Sequence, residues 1–114
     1  MQIKTDDYKI WYENATATLY FQGLLRESGI ADYKPIEQLL EEVIAHEPVT
    51  ITMNIQELEF LNSSGTSILS RFVIDVRKKN TIELVVKGSK RIPWQEKILR
   101  NWQRLMPALM PQWE

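Results

Sequence analysis

The sequence contains no cysteine and a single histidine, His46. Without thiols there is no disulfide framework, no thiolate nucleophile and no thiolate metal site, and a metal centre would have to be built from carboxylates alone. Ser-His chemistry has one imidazole to draw on, and it stands at no motif spacing from a serine. No run of about 18 apolar residues occurs, and the opening MQIKTDDYKI is polar, so neither a membrane span nor a secretory leader is expected and the expected compartment is the cytoplasm. An excess of charge is also missing: the net charge is -1 and the isoelectric point is near 5.9. That balance exerts no global pull on nucleic acid or anionic lipid. The expectation is a chain with no metal, no cofactor, no nucleic-acid partner and no membrane contact.

What is present is an ordinary globular balance, 44% hydrophobic and 25% charged over 114 residues, which suits one core and is too short for two. Residues 1–114 are therefore read as a single domain. Tyr8–Glu13 (YKIWYE) and Thr16–Leu24 (TATLYFQGL) are rich in aromatic and β-branched residues and flank Asn14-Ala15, the pattern of a hairpin. Ile36, Leu39, Leu40, Val43 and Ile44 then repeat at helical spacing, with Pro35 suited to a first turn and an end near Glu47-Pro48. Val49, Ile51, Met53 and Ile55 alternate with polar residues as in a strand. A second helical stripe, Ile68, Leu69, Phe72, Val73 and Val76, runs out at the basic Arg77-Lys78-Lys79, and Ile82, Leu84 and Val86 mark another strand closed by Gly88.

Pro93 opens a third helix with Trp94, Ile98, Leu99, Trp102, Leu105 and Met106 on one stripe, and Pro107 stops it. The tail from Ala108 is compatible with a short edge strand or with an arm across the sheet. The order β-β-α-β-α-β-α predicts an α/β domain with a mixed, mainly parallel sheet and helices packed on it. Ligands and partners of such sheets gather where strands end and helices begin. Three connections are expected on that rim: Gly23–Asp32, Phe60–Gly65 and Lys87–Pro93.

The middle connection, Asn62-Ser63-Ser64-Gly65, joins an extended apolar run to a helix. Asn62 or Ser63 suffices as a cap, and Gly65 is a poor helix former, so capping alone does not account for the set. Phe60-Leu61-Asn62-Ser63-Ser64-Gly65 followed by Ile68-Leu69 resembles the STAS domain, the family of sulfate transporters and anti-sigma-factor antagonists, whose pattern is Asp-Ser-Ser or Asp-Ser-Thr, then Gly and a helix. The likeness extends over Tyr8–Met106 and is greatest to small stand-alone bacterial regulators, including short cyanobacterial ones. It implies a signal-transduction protein in transcription regulation, with no enzymatic activity, that binds a serine kinase acting as an anti-sigma factor. By the same resemblance Ser64 is the phosphoacceptor, phosphorylation releases the partner, and a phosphatase would reset the switch. The family's aspartate is Asn62 here, which keeps a capping oxygen and removes a negative charge.

The partner-binding rim is accordingly read as Asn62, Ser63, Ser64 and Gly65 with Arg26 and Ser28 from the first connection and Lys87 and Lys90 from the third. A rival reading takes the same rim as a site for a small anion or nucleotide, with the helix N-terminus assisted by Lys87 and Lys90. A hydrolase using Ser64 lacks a histidine base at any motif spacing and ranks last. His46 reads as a solvent-exposed residue at a helix end, and Trp94 and Trp102, eight residues apart, read as core.

Overall fold

A computed structural model describes residues 1–114. The strands are β1 (Gln2–Lys4), β2 (Tyr8–Glu13), β3 (Thr18–Leu25), β4 (Thr50–Leu61), β5 (Glu83–Gly88) and β6 (Met110–Trp113), and the helices are α1 (Ile30–Ala45), α2 (Ser63–Lys79) and α3 (Pro93–Leu105). All six strands form one sheet in sequence order, antiparallel from β1 to β3 and parallel from β3 to β6. The expected β-β-α-β-α-β-α series is present, with β1 and β6 added at the two edges. The tail is thus an edge strand, parallel to β5.

The helices cover one face. Tyr8, Ile10 and Tyr12 of β2, Leu19 and Phe21 of β3, Ile51, Met53 and Ile55 of β4, and Leu84 and Val86 of β5 point to them and are buried with Ile36, Leu40, Leu69, Phe72, Leu99 and Trp102 in one core. The alternate side chains of the sheet, among them Lys9, Trp11, Tyr20, Asn54 and Lys87, face away and remain partly exposed. On that open face Trp11 and Tyr20 stack with ring centroids 4.8 Å apart, and the Lys9 ammonium lies 4.5 Å from the Trp11 ring centroid.

Two expected boundaries move. Helix α1 begins at Ile30, so Pro35 lies in its second turn instead of its first. The buried Tyr33 extends the stripe of Ile36 and Leu40 backward by one turn, and its burial outweighs the single N–H that the proline cannot supply. Strand β3 runs through Gly23 to Leu25, which shortens the first rim connection to Arg26–Gly29. Gly23 sits at φ 92, where a Cβ would lie 2.3 Å from the Asp7 carbonyl oxygen. Glycine is required there.

Strand β4 is longer than its alternation suggests. Its register against β3 shifts twice, so that Tyr20 faces Asn54 but Leu25 faces Leu61. Each bulge places an extra residue on β4 and breaks the period of two. Strand β5 accompanies β4 only as far as Asn54, opposite Lys87. The carbonyls beyond that point are taken by α3: Gln95 Nε2 donates to Ile55 O at 2.7 Å and to Leu58 O at 2.9 Å, and Trp94 Nε1 donates to Glu59 O at 3.0 Å. Gln95 Oε1 in turn accepts from Ser89 N at 2.8 Å. This buried side chain stands in for the missing stretch of β5. No helix is long and apolar enough to cross a membrane.

Candidate functional site

Strand β4 passes into α2 through one residue, Asn62, so the expected Phe60–Gly65 loop is a direct strand-to-helix junction. Asn62 is the N-cap: its Oδ1 accepts from Gly65 N at 2.8 Å. The same oxygen accepts from the Tyr33 hydroxyl at 2.7 Å, and Asn62 Nδ2 donates to the Glu27 carbonyl at 3.0 Å. Gly65 is buried beneath this arrangement. A Cβ there would lie 2.6 Å from Leu61 Cδ1, 3.2 Å from Asn62 Oδ1 and 3.3 Å from the Tyr33 hydroxyl. Close packing of the capping network therefore explains the glycine, and helix propensity does not.

Four hydroxyl residues follow or flank that glycine, and they divide into two kinds. Thr66 Oγ1 donates to Asn62 O at 2.9 Å and Ser67 Oγ donates to Ser63 O at 3.1 Å, so both are bound back into the helix. Ser63 and Ser64 are exposed, and neither hydroxyl has a partner within the protein. They occupy the first two positions of α2, where the backbone N–H groups lack helical acceptors and the dipole is positive. An added dianion at Ser64 would meet favourable electrostatics from its own helix. Sequence reasoning left the cap open between Asn62 and Ser63, and the structure assigns it to Asn62.

Of the other expected rim residues, Arg26 and Ser28 are brought to the serine turn, because the Glu27 carbonyl between them is the acceptor for Asn62. Both are exposed, and the Arg26 guanidinium forms a two-pronged contact with Asp7, 3.3 Å on each side. That pairing raises the Arg26 pKa further. Lys87 is not brought there. It projects from the open face opposite Asn54, and β4 continues for the length of Tyr20–Leu25 of its neighbour, roughly 17 Å at ~3.3 Å per residue, before the serine turn begins. Lys90 is exposed in the Ser89–Ile92 connection, beside the α3 end that reaches Ile55–Glu59 of β4. The rim is therefore stepped, with the serines on its far level and Lys87 below.

Sequence reasoning missed Tyr33 and Gln95. Tyr33 was legible as the residue three before Ile36 on the α1 stripe; the role of Gln95, a polar residue on a helix, had no signal in periodicity. Burial raises the pKa of the Tyr33 phenol, and likewise of Tyr8, where the nearby Glu27 adds to the effect. Tyr33 therefore stays protonated and a donor through the physiological range. Two large apolar side chains stand exposed near the turn, Phe60 at 46% and Ile30 at 88%. His46 follows α1 and is exposed, Trp102 is fully buried, and Trp94 is half-buried. No group of acidic or histidine side chains is arranged to hold a metal ion.

No family model matches the sequence, and no curated protein does. Solved structures do match. A chain of the Pseudomonas aeruginosa complex of diguanylate cyclase SiaD with its activator SiaC superposes with a TM-score of 0.75 at 12% identity, covering 100% of this chain and 99% of that one. An anti-sigma factor antagonist from Mycobacterium paratuberculosis superposes with a TM-score of 0.56 at 19% identity, covering 98% of this chain and 84% of that one. At such identities the likeness concerns architecture, and it agrees with the resemblance carried by Phe60–Leu69: the chain has a STAS-like fold.

Proposed function

We propose that this chain is a non-enzymatic regulatory protein that binds a partner protein through the rim around Ser64, and that phosphorylation of Ser64 by a serine kinase of the anti-sigma type releases the partner. The observation that carries the reading is the Ser64 hydroxyl, exposed and free of internal hydrogen bonds at the mouth of α2. Two solved structures of the same architecture support it, one an anti-sigma factor antagonist and the other a complex between an enzyme and its activator.

The mechanism needs little motion. A neutral hydroxyl at the centre of a contact is desolvated cheaply, whereas a phosphoserine carries roughly 1.5 to 2 negative charges that must be desolvated or repelled. Phe60 and Ile30, exposed nearby, supply apolar area of the kind that anchors protein contacts.

The test is incubation with a candidate kinase and ATP followed by mass spectrometry of the modified peptide. Modification lost in Ser64→Ala and retained in Ser63→Ala is expected; the reverse pattern would move the switch to Ser63. Calorimetric titration of the partner is expected to show at least tenfold weaker binding to Ser64→Glu than to Ser64→Ala. Equal affinities would remove charge from the mechanism.

A further inference from the structure

Asn62 holds more than the helix it caps. Its amide orientation is dictated by its neighbours: Gly65 N–H can only donate and the Glu27 carbonyl can only accept, so the oxygen faces α2 and the nitrogen faces the β3–α1 connection. Three elements meet on this one side chain, α2 through Gly65, α1 through Tyr33 and the connection through Glu27. The connection has few other ties. A backbone bond from Asn62 N to Leu25 O precedes it and one from Asp32 N to Gly29 O follows it, the Glu27 backbone also meets the Tyr33 hydroxyl that Asn62 itself holds, and the Arg26–Asp7 ion pair is exposed.

We propose that the Asn62 amide nitrogen is a positioning group that locks Arg26–Gly29 against the serine turn, so that Arg26, Ser28, Ser63 and Ser64 form one rigid surface. The proposal deepens the reading of this rim as the partner contact and rests on it for its biological meaning. It is specific to an amide. An aspartate would keep the capping oxygen but set its second oxygen against the Glu27 carbonyl, two acceptors at a contact that is 3.0 Å long with a proton between them. The helix would remain capped and the connection would be released.

The test needs neither kinase nor partner, so failure of the phosphorylation reading leaves it decidable. Backbone 15N relaxation is measured on the wild-type chain, on Asn62→Asp and on Asn62→Ser, the last being a good cap without a reaching nitrogen. Order parameters near 0.85 are expected for Glu27–Gly29 in the wild type, falling below about 0.6 in both variants while α2 stays rigid. Lowering the pH until the carboxyl of Asn62→Asp is protonated is expected to restore the connection's order, because an acid O–H can donate to the carbonyl again; Asn62→Ser would show no such recovery. A mobile connection in the wild type, an unchanged one in the variants, or equal loosening of the first turn of α2 would each overturn the proposal.

Discussion

Replacing Gln95 by leucine tests the account of how α3 completes the sheet. The side chain is fully buried and makes three hydrogen bonds, of 2.7, 2.8 and 2.9 Å, all to backbone groups. Leucine fills nearly the same space and makes none. Each backbone group left buried without a partner costs about 1–3 kcal/mol. The two carbonyls retain a second lone pair, which places them at the low end, and the apolar side chain returns about 1–2 kcal/mol of burial. The net loss is then about 3 kcal/mol, a large part of the 5–15 kcal/mol typical of a domain. In urea, with a slope of about 1.5 kcal/mol per molar, the midpoint is expected to fall by about 2 M with the slope unchanged. The melting temperature is expected to fall by roughly 12 °C. Gln95→Glu is expected to be at least as damaging at neutral pH and to recover in part on acidification, when one oxygen regains a proton to donate. A loss below about 1 kcal/mol for Gln95→Leu would mean that water replaces the amide, and the idea of a side chain substituting for strand would be wrong.

Gly65→Ala should destabilise by about 1–2 kcal/mol, because crowding against Leu61, Asn62 and Tyr33 outweighs the ~1 kcal/mol of helix propensity it gains; a raised urea midpoint would contradict this. Tyr33→Phe should cost about 1 kcal/mol at neutral pH through the lost bond to Asn62. Alkaline stability follows from the raised phenol pKa values of Tyr8, Tyr12 and Tyr33, for which burial is the leading cause. The folded chain holds these protons more tightly than the unfolded one, so the stability they contribute is complete below the ordinary value of 10.0 and is lost as pH rises from there through the raised folded values. Melting temperatures across that range should fall less steeply for Tyr33→Phe than for the wild type, and parallel curves would count against the assignment.

The parts of the fold written in local periodicity were readable: the hairpin, three helical stripes and the alternating strands occur near where the pattern put them, although Val49 is exposed ahead of β4 and Ile82 is buried just ahead of β5, so both strands start one residue later than their alternation does. The parts set by register were not. The bulges of β4 carry the buried positions from Ile55 to Leu58, a step of three that looks like neither strand nor helix in a one-dimensional reading. Missing that extension placed Lys87 level with Ser64, since a rim drawn from loops alone has no steps. Strand β1 offered only Ile3 as an apolar residue and gains its order from pairing with β2. At the site, the serines and the glycine were legible as a group. The reason for the glycine was not, because Tyr33 arrives from another helix.

The two outermost strands bear on how the molecule keeps company. One border is only three residues long and ends in Lys4, and the other is four residues long and includes Pro111, which has no N–H to offer. Short margins carrying a cation or an imino acid are poor templates for a visiting strand. Growth of the sheet by chain addition is thereby discouraged at both ends, and fibre-like stacking with it.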